Sequence, residues 1–193
     1  GLAEAALDAE RFGVIGAAGL LYCELEELHQ PFKSWVNEES FDIEQWSRLA
    51  MGEMYPLWML KYLPNMPACH IGIAQDARGP NNSLTLGEAS GLAAVTEAVR
   101  VLERGQADAM IAGGCEASLN FLGFIGFVLI KALAEKYSTP QKASRPFDRR
   151  INGFVMSEGA GVVILEELEH ARSRGVPILG ELLGYGASAD AYR

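Results

Sequence analysis

The chain has 193 residues, 49% apolar and 21% charged, the make-up of one ordinary water-soluble globular domain with a sizeable core. Its net charge of −9 leaves no basic stripe to neutralise phosphates, so no nucleic acid is expected as a partner; the basic residues are thinly spread except near Lys142, Arg145, Arg149 and Arg150. The three cysteines, Cys23, Cys69 and Cys115, are odd in number and far apart, which argues against a zinc site or a disulfide framework and fits a reducing cytoplasm.

In chain order, the glycine-bearing apolar run 12–19 predicts a buried strand ending in a tight turn. Residues 20–62 read as helical or irregular, and Pro56 should break the helical spacing of 42–60. Pro67 is placed to open a helix over 68–77, and 81–86 reads as a short strand. The best helix is 89–104, with Leu92, Val95, Val99 and Leu102 in a stripe of period near 3.6 and Gly105 as its C-cap. A buried strand over 108–112 is expected to stop at Gly113-Gly114. The longest apolar run, 121–130, ends at Lys131 and is too short for a bilayer, which needs about 20 residues. No membrane contact is expected. A second buried strand over 159–166, with Val162-Val163-Ile164-Leu165 at its centre, a helix over 168–174 closed by Gly175, and a last strand over 177–186 complete the series. Alternating strands and helices imply an α/β layered fold. No secretory signal is visible, although Gly1-Leu2-Ala3-Glu4 does not open on methionine and a targeting segment could have preceded it.

Three constellations carry candidate chemistry. The first runs from Gly79-Pro80-Asn81 to Thr85-Leu86-Gly87-Glu88-Ala89-Ser90-Gly91, where a short strand turns sharply into a helix. Backbone N–H groups and the macrodipole at a helix start favour an anion. Local sequence alone reads Glu88 as an ordinary first-turn acid; a functional carboxylate is the other reading. The second is residues 107–117, a buried strand whose paired glycines let another backbone approach. Cys115 reads there as a buried small hydrophobe, and Glu116 as a ligand for backbone amides. The third is residues 142–161, where Arg145, Asp148, Arg149 and Glu158 are expected to form a charged network that fixes a loop. Gly159-Ala160-Gly161 lacks the glycine and lysine of a phosphate loop, and no cofactor or metal is expected. His70 should be packed in its helix and His170 exposed. With His29 they assemble no Ser/His/Asp set.

In order and spacing these constellations resemble the β-ketoacyl synthases, the condensing enzymes of fatty-acid and polyketide synthesis. The matching stretches are Gly79-Pro80-Asn81, Ala89-Ser90-Gly91, residues 107–116, Lys131-Ala132-Leu133, residues 143–148, 152–161 and 165–170, and Arg174-Gly175. Gly184-Tyr185-Gly186 and Asp190-Ala191-Tyr192 also fit. The resemblance implies a thiolase-like α/β/α fold, with residues 1–193 as part of its N-terminal half and the first strand of that fold lying before Gly1. It implies a homodimer or a heterodimer with an active synthase, and an acyl carrier protein docked at Lys131. The family's nucleophile, a cysteine, falls at Glu88, and none of His29, His70 or His170 falls on the family's catalytic histidines. A thiolate accepts an acyl group as a stable thioester, whereas a carboxylate would give only a labile mixed anhydride.

The expectation is therefore a homologue that does not condense, like the chain-length factors that pair with an active synthase. Decarboxylation or thioester hydrolysis assisted by Glu88 is a second reading, and an acyl-binding module without chemistry a third. Glu88 is expected to have a partner: backbone amides, a side chain such as Ser90, or an arginine from the other subunit.

Overall fold

A computed structural model describes residues 7–19, 22–33, 36–37, 40–189 and 191. The expectations at Gly1, Asp190 and Tyr192 lie outside the described residues. In chain order the elements are β1 (Phe12–Ala18), α1 (Leu25–Lys33), β2 (Val36–Asn37), β3 (Ser40–Phe41), α2 (Ile43–Glu53), α3 (Met66–Ala74), β4 (Asn81–Leu84), α4 (Ser90–Glu103), β5 (Ala109–Ala117), α5 (Phe121–Leu129), β6 (Glu158–Glu166) and α6 (Leu168–Arg174). The chain divides into two compact units, residues 1–18, 67–114 and 161–193, and residues 19–66 with 115–160.

The first unit is built on a sheet of order β4-β1-β5-β6. β1 and β4 are parallel, with Val14 opposite Asn81 and Ala17 opposite Leu84. β5 follows β1 in the same direction: the Asp108 N–H donates to the Arg11 carbonyl at one end, and Gly114 lies against Ala17 at the other. β6 returns antiparallel, with Gly161 beside Gly113 and the Glu167 N–H donating to the Asp108 carbonyl. The pleat sorts β1 and β5 side chains by parity. Ile15, Ala17, Met110 and Ala112 pack with Ala94, Ala98 and Val101 of α4. Phe12, Val14, Ala109 and Ile111 pack with Ala68 of α3. Small residues on both helices let them sit close to the sheet, which gives the α/β/α layering expected of a thiolase-like fold.

The second unit holds α1, the β2–β3 pair, α2, α5 and the loop that follows α5. α2 starts where the Asp42 carboxylate accepts the N–H groups of Glu44 and Gln45, and it ends at Glu53, before Pro56. Asn120 caps α5 by accepting the Gly123 N–H at 2.8 Å.

Three strand expectations need correction. β6, expected buried, leaves Val162, Val163 and Ile164 exposed, since it stands at the end of the sheet order. β5 runs through Gly113-Gly114 to Ala117 instead of stopping there. The glycines permit the close pass of β6, because a Cβ on Gly113 would lie 2.1 Å from the Gly161 carbonyl oxygen. Residues 177–186 form no strand. Tyr185 is held instead on α4, its hydroxyl donating to Glu103 at 3.2 Å and its ring under the Arg100 guanidinium. The histidines also differ from expectation. His70 is exposed, because α3 buries Ala68 and Gly72 on its inner side. His170 is half-buried, its Nδ1 2.6 Å from Glu166.

Candidate functional site

The turn between β4 and α4 is closed by backbone and hydroxyl groups. Thr85 Oγ1 donates to the Ala18 carbonyl at 3.2 Å, tying the end of β4 to the end of β1. Ser90 Oγ accepts the Leu86 N–H and donates to the Gly87 carbonyl, both at 2.6 Å. That hydroxyl is buried, and it bridges both sides of a residue with φ +62, Gly87. The left-handed region costs an L-residue roughly 1–2 kcal/mol, so glycine suits the position. α4 then begins at Ser90, with Ala89 as an N-cap that makes no side-chain bond.

Glu88 stands at the tip of this turn and is exposed. Ser90 is committed to the backbone, and no hydrogen bond or ion pair forms to the Glu88 side chain among the described residues. Of the expected partners, Ser90 is thus turned away from Glu88. The physical reason is that Ser90 closes the turn beneath it and leaves the carboxylate exposed. The first-turn N–H groups and the macrodipole still favour a negative side chain there. The turn thus presents an exposed carboxylate.

The second unit carries the other expected residues. Glu116 does bind a backbone amide: its Oε2 accepts the Gly19 N–H at 3.2 Å, and Ser118 Oγ donates to its Oε1. Burial, with the Glu116 charge beside it, pushes the Cys115 thiol up, away from the thiolate that a nucleophile needs. The charged network is rearranged relative to expectation. Asp148 accepts from the side chain and backbone N–H of Arg150, which hold its carboxyl below the usual range. Arg145 turns to the Lys136 carbonyl and Asn152 Oδ1, at 3.0 and 3.1 Å. Arg149 and Glu158 are exposed and, among the described residues, take no part. The i, i+2 spacing of Asp148 with Arg150 lets a carboxylate close on the nearer backbone amide and guanidinium together. That spacing, like that of Glu116 with Ser118, was the signal available in the sequence.

Lys131 follows α5 with φ +55 and an exposed side chain. Its N–H donates to the Val128 carbonyl at 3.0 Å, which ends the helix, and a cation there suits the helix C-terminus. Among the described residues no group of three or more His, Cys, Asp or Glu side chains is placed to hold a metal ion. No described helix is long and apolar enough to cross a membrane.

The profile of the β-ketoacyl synthase N-terminal domain matches residues 1–171. The chain belongs to the β-ketoacyl synthase family. The mitochondrial 3-oxoacyl-[acyl-carrier-protein] synthase of Arabidopsis thaliana is 44% identical over 138 residues, 71% of this chain and 30% of that protein. A synthase 2 of Staphylococcus aureus is 36% identical over 156 residues, 80% of this chain and 38% of that protein. The chain thus spans about a third of the length of the curated relatives it matches. A type II polyketide ketosynthase solved with its acyl-carrier protein, and bound to the hexaketide, gives a TM-score of 0.79 at 29% identity, over 96% of this chain and 44% of that one. The ishigamide ketosynthase/chain length factor gives 0.62 at 29% identity, over 94% and 41%.

Proposed function

We propose that the protein is a catalytically silent member of its family, paired with itself or with an active synthase and acting on acyl chains held by acyl carrier protein in fatty-acid or polyketide synthesis. The observation that carries this reading is the exposed Glu88 carboxylate at the tip of the Gly87 turn, where the family resemblance implies the nucleophilic cysteine. A carboxylate cannot hold an acyl group as a stable thioester, and the turn beneath it keeps its shape through Ser90. Support for the pairing comes from β4, which lies at one end of the sheet order, and from the ketosynthase/chain length factor among the similar structures. Support for the carrier comes from exposed Lys131 and from the ketosynthase solved with its acyl-carrier protein. A cytoplasmic site of action belongs to the same reading.

The experiment is Glu88→Cys in the full-length parent protein, incubated with a fatty acyl carrier protein and read by intact-mass spectrometry. The parent should stay unlabelled and should release no carbon dioxide from a malonyl carrier. The variant should gain one acyl group, which would mean that Glu88 is a substitution in a working pocket. An unlabelled, folded variant would mean that the pocket is lost and that the protein is a scaffold throughout. Decarboxylation by the parent would overturn the silent reading in favour of an enzymatic one.

A further inference from the structure

Asn152 is the one asparagine of the chain that is followed by glycine. In such a pair the glycine nitrogen can attack the asparagine side-chain carbonyl, because no Cβ stands in the way. Glycine is obligatory at 153: its φ is +132, and a Cβ would lie 2.4 Å from the Leu133 carbonyl carbon. The Gly153 N–H has no acceptor among the described residues, and Asn152 is exposed to water. The attacking nitrogen is therefore uncommitted, whereas the amide it would attack is tied at both atoms. Arg145 Nη2 donates to Asn152 Oδ1 at 3.1 Å, and Asn152 Nδ2 donates to the Lys136 carbonyl at 3.3 Å. Arg145 reaches the same carbonyl at 3.0 Å, so the three residues hold one another. Turning the amide toward Gly153 breaks two hydrogen bonds, at about 1 kcal/mol each. Beside the pair the loop is clasped: the Ala134 N–H donates to the Phe154 carbonyl, the Phe154 N–H to the Ala132 carbonyl, and the Phe154 ring meets Phe127 edge-on at 5.0 Å.

We propose that Asn152–Gly153 is a spontaneous deamidation site guarded by Arg145, and that its conversion to isoaspartate unlocks the loop after α5. In the first step a bond forms from Gly153 N to Asn152 Cγ and the Cγ–Nδ2 bond breaks. The side-chain nitrogen leaves as ammonia, carrying the proton that Gly153 N gives up. The cyclic imide that remains takes up one water at either of its carbonyls. Opening at the Asn152 side-chain carbonyl yields aspartate, with the chain unchanged in length. That carboxylate would face Arg145, which has no acidic partner among the described residues. Opening at the Asn152 main-chain carbonyl yields isoaspartate, which puts an extra carbon into the main chain just before Gly153. Gly153 already passes Leu133 with no room for a methyl group. The added length must therefore displace Gly153 and the Phe154 backbone bonds that follow it.

The test incubates the full-length parent at mildly alkaline pH, folded and in urea, and follows residue 152 by peptide mapping and by methylation with an isoaspartyl methyltransferase. Conversion in urea is expected to be about tenfold or more faster than in the folded protein, because unfolding releases both ties on the amide. Folded Arg145→Ala is expected to convert about fivefold faster than the folded parent. Circular dichroism checks that this variant is folded, and the comparison of folded with urea-treated parent needs no variant at all. Brief trypsin digestion reads the loop, which offers Lys136 and Lys142 for cleavage. Refolded protein carrying isoaspartate should be cut there faster than the parent, and Asn152→Asp, which keeps the chain length, should not. Equal conversion in the folded and urea-treated parent overturns the guarding, and a folded Arg145→Ala that converts no faster overturns the role of Arg145. No conversion in urea overturns the site itself. Isoaspartate with an unchanged rate of cleavage at Lys136 and Lys142 overturns the unlocking.

Discussion

At the scale of single residues, one hydroxyl decides the shape of the candidate site. Ser90 Oγ accepts the Leu86 N–H and donates to the Gly87 carbonyl, so removing it leaves two part-buried backbone groups without that partner. Such a loss costs about 1 kcal/mol. Ser90→Ala is expected to lower stability by that amount in urea unfolding, and an unchanged midpoint would show that water replaces the hydroxyl. A second residue-scale expectation concerns acid. Arg11 donates twice to Asp108, and this hydrogen-bonded charge holds the Asp108 carboxyl below its usual range. A depressed folded value means that the pair stabilises the fold above the unfolded value of about 3.9 and loses that contribution as pH falls toward the folded value. Unfolding curves of the wild type and Asp108→Asn should therefore lie apart near neutral pH and draw together below about pH 4. A constant gap across that range would assign the effect of the substitution to packing instead.

At the scale of elements, β5 and β6 meet through Gly113, whose φ of +154 and 2.1 Å Cβ clearance from the Gly161 carbonyl oxygen leave no room for a methyl group. Gly113→Ala must push two paired strands apart, at a cost of about 1–3 kcal/mol or more, while Gly126→Ala, where nothing lies within 4 Å, should be close to neutral. Equal melting temperatures for the two variants would sink this account of the glycine pair. The same glycines mark how far the elements were legible in the sequence. β1 is legible as a continuous apolar run and α6 by the glycine that closes it, Gly175. α4 is found by its period near 3.6, but the face it buries is Ser90, Ala94, Ala98 and Val101, and Leu92 of the expected stripe is exposed. Gly113-Gly114 reads as a strand end because glycine punctuates most strands; a ladder that continues through glycines depends on the approach of β6, some fifty residues later. The run 177–186 has strand-like residues, but a strand also needs a backbone partner, and the tie from Tyr185 to Glu103 and Arg100 is a tertiary contact with no local signature. In the site, the amide-binding role of Glu116 was legible, although Glu116 lies inside β5 and not after it. The lone, exposed state of Glu88 was not, because it depends on which groups Ser90 chooses.

At the scale of the whole molecule, the β4 edge bears on assembly. In the order β4-β1-β5-β6 one side of β4 faces β1 and the other has no strand beside it among the described residues. Open edges invite pairing with another chain. Here Asn81, Asn82 and Ser83 keep the edge polar, and the Ser83 N–H is taken by the side chain of Asn82 at 2.8 Å. An amide closed in this way by its neighbour is available for exchange, since a partner strand can replace Asn82 Oδ1 with a carbonyl at little net change in hydrogen bonding. A strand that pairs with its own copy across a two-fold axis must run antiparallel to it, which makes the contact self-complementary. The full-length parent is expected to sediment as a dimer, with itself or with its synthase partner. Ser83→Pro removes the outward N–H, and proline is tolerated on an edge strand that does not need that donor for its own sheet. The variant should therefore sediment as a monomer while keeping the helix and strand content of the parent by circular dichroism. A clean monomer of the unmodified parent would remove the pairing altogether. A Ser83→Pro protein that stays dimeric would place the contact on a surface other than β4.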